Sequence, residues 1–301
     1  MTDVALPKGV TLVDDPMPAV QISTAAVEAT VTLQGAQIIA WTPTGADPVL
    51  YLSKDSHWQP GTPIRGGIPV CFPWFGGGRN HIATSASHHE PVVTLEPSHG
   101  WARIVDWTLV DASVARDGTA SLVFELSGAA FVGATHHRHV PADVMVRYTM
   151  HLGTDLRLVL EVISGGSLVD VETLLHTYLS VPDVDRVTIA GLDQAPYWDK
   201  VERRARTQDG ELVITGQTDR VYDTSAVIRV TTGKRTIQIT TTGSKSTVVW
   251  NPGADKARTL DDFGDQDYRQ MVCVESGNVL HNAITVAPGQ SQVMTVTYRI
   301  I

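Results

Sequence analysis

Two ionisable residues occur inside apolar runs that have the composition of buried strands. The first is Glu275, at the end of the run Met271 to Val274, with Gly277 just beyond it. A carboxyl group that loses its contact with water favours the protonated form, so its pKa should rise toward the range of a base that works at neutral pH. Glu275 is therefore a candidate general base.

The second ionisable residue is His176, in a run from Leu174 to Val181 that is compatible with a β-strand. Alternation places His176 and Tyr178 on one face of this strand and Leu175 and Leu179 on the other. An imidazole can donate or accept a proton near neutral pH. Either residue could also be structural, as a strand-end carboxylate that reaches solvent or a hydrogen-bonded core histidine.

A segment rich in glycine and proline, Ile64-Arg-Gly-Gly-Ile-Pro-Val-Cys-Phe-Pro-Trp-Phe-Gly-Gly77, offers groups that could bind a ligand. Its glycines would let the backbone approach a ligand, and its prolines would stiffen the loop and reduce the entropy lost on binding. Arg65 would then present a guanidinium on a rigid support, and Trp74 a flat face for a sugar ring. The alternative is a connection whose aromatic residues cover the core.

Two shorter segments could add polar contacts to such a site. Ser98-His-Gly-Trp-Ala-Arg103 places His99 where it could hydrogen-bond a polyol and Arg103 where its fork of N–H groups could bind an anion. In Thr218-Asp-Arg-Val-Tyr222, Asp219 could accept a sugar hydroxyl or could be a turn residue.

The sequence gives little support for a metal site. His88-His-Glu90 and His136-His-Arg-His139 have no cysteine or acidic ligand at a recognised spacing, so solvated loops are favoured. The acidic run from Asp261 to Asp267 lacks the ligand order of a calcium loop and is expected to be a solvated loop over or near the site. Cys71 and Cys273 are expected to be reduced, buried thiols.

The elements that must position these residues are strands. Short runs rich in Val, Ile and Thr alternate along the chain between turn residues, and no long segment has a helical period. This pattern predicts an all-β fold, a large antiparallel sandwich or barrel. With no linker or repeat in view, residues 1–301 are expected to form a single domain.

Composition excludes several partners. The net charge of −9 argues against nucleic acid and anionic membranes, which require a basic face. The sequence contains no signal-peptide pattern and no apolar run long enough to span a bilayer, so a cytoplasmic protein is expected. We also expect a monomer.

Taken together, these motifs resemble the hexose-6-phosphate mutarotases, or glucose-6-phosphate 1-epimerases, of the galactose-mutarotase-like superfamily. The resemblance rests on the segments already described around Arg65, Trp74, His99, His176, Asp219 and Glu275, and on Val249-Trp-Asn-Pro252, all in the family's order from about Val20 to the C-terminus. It implies a large antiparallel β-supersandwich with a cleft on one sheet.

The resemblance also implies an isomerase that interconverts the α and β anomers of an aldohexose 6-phosphate through the open-chain aldehyde. Glu275 would be the base and His176 the acid, placed on opposite sides of a common pocket and exchanging roles for ring closure. Arg65 and Arg103 would receive the phosphate, and His99, Asp219 and Trp74 would contact the sugar. The reaction moves only protons, so no cofactor and no metal is expected.

Three other functions remain open on the sequence. An aldose mutarotase for free sugars would not need Arg65 and Arg103. A carbohydrate-binding protein without activity would have no need of a paired acid and base at His176 and Glu275. A glycoside hydrolase would need two carboxylates across the scissile bond, whereas Glu275 is the one well-placed candidate.

Overall fold

The structure is a computed structural model that describes residues 4–78, 94–134 and 140–301. The two histidine-rich segments, His88 to Glu90 and His136 to His139, fall wholly outside these ranges, so the expectation that they bind no metal lies outside the described residues.

Strands make up most of the regular structure. In chain order they are β1 (Val10–Val13), β2 (Ala19–Ser23), β3 (Val27–Thr32), β4 (Ile38–Pro43), β5 (Val70–Cys71), β6 (Thr108–Val114), β7 (Ala120–Ser127), β8 (Val144–Leu152), β9 (Leu156–Ser164), β10 (Val169–Val171), β11 (Thr173–Leu175), β12 (Tyr178–Ser180), β13 (Thr188–Ala190), β14 (Pro196–Asp199), β15 (Arg204–Thr207), β16 (Leu212–Val213), β17 (Thr218–Tyr222), β18 (Ile228–Thr231), β19 (Thr236–Thr242), β20 (Ser246–Asn251), β21 (Met271–Asn278), β22 (Ile284–Val286) and β23 (Ser291–Ile300).

The helical segments are short. They are α1 (Gly253–Ala257) and the 3₁₀ turns Ala102–Ile104, Gly128–Phe131, Val184–Arg186, Asp267–Gln270 and Leu280–Asn282. Within the described ranges, no helix is long and apolar enough to cross a membrane.

Two large antiparallel sheets form the body of the molecule. We call β15-β14-β17-β20-β21-β11-β5, in which β12 also pairs with β21, the front sheet. The back sheet has the order β16-β13-β18-β19-β23-β9-β8-β7-β6. A smaller sheet, β1-β2-β3-β4, and the pair β10-β22 complete the described strands.

The core lies between the front and back sheets. The alternating burial of β8 and β9 matches the alternation of apolar and polar residues in their sequences, as expected for strands with one face in a core. Leu158 and Leu160 of β9 belong to the same apolar cluster as Val249 of β20 and Val274 of β21. The predicted all-β sandwich is confirmed.

Strand β21 is buried along its whole length, on both faces. The strand continues to Asn278, so Glu275 lies in its middle and not at its end as the sequence pattern suggested. Gly277 does not end the strand; a Cβ atom there would lie 2.3 Å from the carbonyl oxygen of Thr173 on the neighbouring strand, so close pairing requires glycine. The outer face of β21 therefore holds a carboxylate away from bulk water.

Candidate active site

Strand register places the candidate residues in rows on the outer face of the front sheet. Residues directly opposite each other in antiparallel strands share a face. Cys273 of β21 pairs with Tyr178 on one side and with Trp250 on the other, and Trp250 pairs in turn with Asp219. Glu275, two residues beyond Cys273, shares this face.

His176 lies in the break between β11 and β12, where the backbone leaves the ladder with β21. Its N–H donates to the carbonyl of Pro69. Thr177 points to the opposite side, where its hydroxyl bonds to that of Tyr298 in the back sheet at 2.6 Å. The alternation expected for this strand is confirmed, since Leu175 and Leu179 lie in the core while His176 stacks on Tyr178 outside it.

The structure brings His176 and Glu275 into contact. Nδ1 of His176 lies 3.2 Å from Oε1 of Glu275. The residues are 6% and 1% exposed. Nδ1 and the other carboxylate oxygen, Oε2, have no hydrogen-bond partner among the described residues. The two groups are neighbours and not on opposite sides of a pocket as expected, so they can serve two oxygens that are bonded to one carbon.

Burial moves the proton affinities of the pair toward each other. Desolvation raises the pKa of Glu275 well above its usual value, Asp219 raises it further, and Lys200 opposes this rise. Desolvation lowers the pKa of His176, and the positive charges of Arg103, Arg65 and Lys200 add to the decrease. Because burial favours the neutral form of both groups, neither holds its charge strongly, which suits them to exchange protons with a substrate.

Aromatic rings hold His176 in place. Its ring stacks on that of Tyr178, with centroids 4.7 Å apart and planes 10° apart, and meets the half-buried Trp250 edge-on at 6.1 Å. Tyr178 also meets Trp250 edge-on. These contacts fix the direction in which the imidazole presents its nitrogens.

Arg65 reaches the same group of residues from the loop before β5. Its Nη1 donates to the hydroxyl of Tyr178 at 3.2 Å, and its Nε donates to Asp262 at 3.0 and 3.1 Å. Asp267 accepts a hydrogen bond from Tyr51 at 2.6 Å. The acidic run therefore lies over the site as expected, but Asp262 and Asp267 are bound to protein groups and are not simply solvated.

His99 lies against His176, with ring centroids 5.4 Å apart. The N–H of Gly76 donates to its Nδ1 at 3.2 Å, and the Cys71 sulfur is 3.3 Å from the same nitrogen. Because Nδ1 accepts the hydrogen bond from the Gly76 N–H, the neutral imidazole carries its hydrogen on Nε2. Desolvation and then the charge of Arg103 hold the pKa of His99 well below its usual value, which keeps it in this neutral form.

Gly100, next to His99, has φ +75, and a Cβ atom there would lie 2.1 Å from the carbonyl oxygen of Phe72. This close approach brings the loop from 98 to 103 onto the front sheet. Arg103 follows in the same loop and donates from Nη2 to the carbonyl of Ser98 at 2.7 Å. Its Nε is buried and has no hydrogen-bond partner among the described residues, so this N–H is unsatisfied.

Asp219 lies on the other side of Trp250 and forms an ion pair with Lys200 at 3.1 Å. The Lys200 ammonium also lies 4.8 Å from the centre of the Phe75 ring. Sequence reasoning missed Lys200, which follows β14 in a polar stretch with no motif to single it out. Its charge acts on Glu275, His176 and His99 alike.

Trp74 is not part of this group. Its ring is 2% exposed, packs edge-on against Trp101 and donates its indole N–H to the carbonyl of Pro97 at 2.9 Å. A ring so enclosed has no face for a sugar, which favours the alternative of an aromatic residue that covers the core. Similarly, Gly66 and Gly67 approach the backbones of Leu52 and Ile38, so their small size serves the fold.

The geometry supports proton transfer on a small polar ligand. His176 and Glu275 can move protons, His99 and Asp219 can hydrogen-bond hydroxyls, and cationic groups lie close to all four. Trp250 offers a partly exposed aromatic face in the same row as Asp219. One His176 nitrogen, the Cys273 sulfur and a Glu275 oxygen also lie within 4.8 Å of one another.

Comparisons with known proteins agree with this geometry. A protein of Escherichia coli strain K12 is 32% identical over 255 residues, which are 83% of this chain and 79% of that protein. A Salmonella typhimurium relative is 31% identical with the same coverage. Both are provisionally named glucose-6-phosphate 1-epimerase.

Solved structures share the fold. A Salmonella typhimurium protein provisionally described as a mutarotase superimposes with a TM-score of 0.83 at 25% identity, over 100% of this chain and 96% of that chain. A galactose mutarotase-like protein of Clostridium acetobutylicum has the same fold at 12% identity, with a TM-score of 0.72 over 97% of each chain. The sequence model of the family described as aldose 1-epimerase matches residues 18–299, and the chain belongs to that family.

Proposed function

We propose that this protein interconverts the α and β anomers of glucose 6-phosphate by opening and closing the sugar ring. One observation carries the proposal: Nδ1 of His176 and Oε1 of Glu275 lie 3.2 Å apart, and the positive charges of Arg103, Arg65 and Lys200 act on His176. The names of the bacterial relatives, which cover most of this chain, support the same substrate.

Ring opening needs one proton removed and one proton delivered. Glu275, as carboxylate, takes the proton of the hydroxyl on C1, and His176 delivers a proton to the ring oxygen, so that the C1–O bond to the ring breaks and the aldehyde forms. Both oxygens are bonded to C1, which suits two adjacent catalytic groups. After rotation about the C1–C2 bond, the protons return along the same paths and close the ring on the other face.

The phosphate would be bound by Arg65, Arg103 and Lys200. Desolvation is the largest cause of the low pKa of His176, and the charges of these three cations lower it further. A phosphate dianion that neutralised the cations would raise that pKa again. Substrate binding would thus make His176 a better proton carrier. The local cations also matter because a net charge of −9 repels the substrate at long range.

His99 and Asp219 would hold sugar hydroxyls. His99 would donate from Nε2, the nitrogen left over once Nδ1 has accepted the Gly76 N–H. Asp219 would accept; burial raises the pKa of its carboxyl group, and the paired Lys200 opposes that rise. We also propose that the protein acts as a cytoplasmic monomer without a cofactor, as expected from its sequence.

A second candidate is an aldose 1-epimerase that acts on unphosphorylated sugars. The ion pair between Arg65 and Asp262 favours it, since an arginine already neutralised by a carboxylate has less charge to offer a phosphate. Arg103, whose Nε has no partner among the described residues, favours the phosphorylated substrate.

The experiment is an anomer-exchange measurement by NMR on glucose 6-phosphate and on glucose at equal concentrations. We expect exchange of the phosphorylated sugar to be accelerated far more than that of the free sugar. Equal acceleration of both sugars would support the aldose 1-epimerase that acts on unphosphorylated sugars. No acceleration of either sugar would indicate a carbohydrate-binding protein without catalytic activity.

A further inference from the structure

A third residue with affinity for metals lies beside the catalytic pair. Cys273 is two residues before Glu275 on β21, and its thiol shares their face of the front sheet. One nitrogen of His176, the Cys273 sulfur and one oxygen of Glu275 lie within 4.8 Å of one another. The mechanism uses His176 and Glu275 but gives Cys273 no role.

Two atoms in this cluster make no hydrogen bond to any described residue. Nδ1 of His176 and Oε2 of Glu275 are buried without a hydrogen bond from any described residue. A buried polar atom left in this state costs about 1–3 kcal/mol. A metal ion that bound both atoms would relieve the cost for both, and it could bind the Cys273 sulfur at the same time.

The ligand set selects the metal. A sulfur, an imidazole nitrogen and a carboxylate oxygen are the donors that Zn²⁺ prefers, whereas Mg²⁺ and Ca²⁺ take oxygen ligands. Bonds of about 2.0–2.3 Å at a tetrahedral ion place its ligand atoms about 3–4 Å apart. Nδ1 of His176 and Oε1 of Glu275 already meet that separation at 3.2 Å. The three ligand atoms lie within 4.8 Å of one another, so metal binding requires side-chain rotation to draw them together.

We propose that Zn²⁺ binds His176, Cys273 and Glu275 and inhibits the enzyme. Cys273 binds as thiolate, its proton passes to solvent, and no group is oxidised or reduced. The ion then occupies the imidazole nitrogen and carboxylate oxygen that would otherwise exchange protons with the sugar. The inhibition rests on the proposed function, whereas the binding does not.

The nearby cations limit the affinity. Arg65, Arg103 and Lys200 all act electrostatically on His176, and they oppose the arrival of a divalent cation. Zinc should therefore bind less tightly here than at a structural site with the same number of ligands, and a chelator should remove it.

Cobalt provides a test of binding that does not depend on activity. Metal-free protein, kept reduced with a phosphine, is titrated with Co²⁺, whose bond to a thiolate gives a charge-transfer band in the near ultraviolet. Sites made of histidines alone, such as the histidine-rich segments could form, do not give this band. We expect the band in the wild-type protein and in Cys71→Ser, its loss in Cys273→Ser, and its displacement by Zn²⁺.

The inhibition is measured in the anomer-exchange assay with added Zn²⁺ and then with chelator. We expect reversible inhibition of the wild type and of Cys71→Ser, and at least a tenfold higher inhibition constant for Cys273→Ser, each compared with its own metal-free rate. If the protein has no exchange activity, the proposed function fails while the cobalt band still tests the site.

X-ray absorption of the zinc-loaded wild type covers the case in which Cys273→Ser does not fold. We expect one sulfur at about 2.3 Å and lighter ligands at about 2.0–2.1 Å. The proposed site would be overturned by any of three results: no thiolate band in the wild type, loss of the band in Cys71→Ser alone, or a zinc shell without sulfur. Activation by zinc would overturn the inhibition.

Discussion

Asp262 holds the guanidinium of Arg65 through two of its nitrogens, with Nε 3.0 and 3.1 Å from the carboxylate oxygens and Nη2 3.0 Å from Oδ2. The third nitrogen, Nη1, donates to Tyr178, whose ring stacks on His176. The segment that contains Asp262 is thus linked through one arginine to a ring that positions the catalytic imidazole. Arg65 thus binds Asp262 and is also proposed to bind the substrate phosphate. Mutation of each residue in turn separates these two roles.

Arg65→Ala should raise KM for glucose 6-phosphate by about 10- to 100-fold, because hydrogen bonds to a charged group contribute about 1.5–3 kcal/mol. KM for free glucose should change much less. Arg299→Ala is a matched control, since Arg299 pairs with Asp155 on the back sheet away from the site. An equal change in KM for both sugars would show that Arg65 does not bind the phosphate.

Asp262→Asn should lower KM for glucose 6-phosphate several-fold. The amide keeps the shape of the side chain and one acceptor for Arg65, but it removes a negative charge that competes with the phosphate for the same guanidinium. Steady-state kinetics on both sugars measure this. A higher KM for the phosphorylated sugar would mean that Asp262 serves mainly to orient Arg65.

Glu275→Gln should reduce kcat by about 10²–10⁴-fold, the usual contribution of a positioned general base. The amide fits the same space and cannot take up the proton of the C1 hydroxyl. Binding of glucose 6-phosphate should be retained, which calorimetry on the inactive variant would check. A variant with the wild-type rate would assign the base elsewhere.

The sequence predicted the burial of His176 and Glu275 and the strand face of His176 better than the contacts around them. His176 and Glu275 each occur in an apolar run, and such runs form buried strands, so the sequence indicates that both side chains are buried. Ionisable residues are seldom buried without a structural or functional role, which marks these two as candidates. Alternation correctly separated the face of His176 and Tyr178 from that of Leu175 and Leu179. These predictions succeeded because both follow from the two-residue period of a strand.

Other features depend on contacts between distant segments and could not be read from local pattern. Trp74 and Trp250 have equally plausible sequence contexts, and only the packing of Trp101 against Trp74 encloses one of them. Lys200 joins the site because β14 and β17 are neighbours. The pairing of Arg65 with Asp262 joins segments almost two hundred residues apart, so a single sequence carries no signal for it.

The two tryptophans provide a test of where the sugar ring packs. Trp250→Ala should raise KM for glucose 6-phosphate, because the half-buried ring beside Asp219 is the exposed aromatic face of the site. Trp74→Phe should leave KM within about twofold but lower the free energy of unfolding by about 1–3 kcal/mol, through lost packing and the lost bond to Pro97. Kinetics and urea unfolding of both variants measure these effects, and the reverse pattern would restore Trp74 to the binding site.

The raised pKa of Glu275 predicts a dependence of stability on pH that the Gln variant should lack. Below the unfolded-state pKa, near 4.5, both states hold the proton and Glu275 costs nothing. Between that pKa and the higher folded-state value, unfolding releases a proton, so the free energy of unfolding falls by up to about 1.4 kcal/mol per pH unit. Above the folded-state pKa the loss is complete and constant.

Groups common to both proteins cancel when the wild type and Glu275→Gln are compared, apart from His176, which contacts the changed residue. The variant should therefore gain stability relative to the wild type as pH rises above about 4.5, and the difference should level off once Glu275 ionises in the folded protein. Urea unfolding of both proteins at several pH values between 4.5 and 8 measures the difference. A difference that did not change with pH would mean that the folded protein leaves the pKa of Glu275 near its unfolded value, and the carboxylate would then be a weaker base than the mechanism requires.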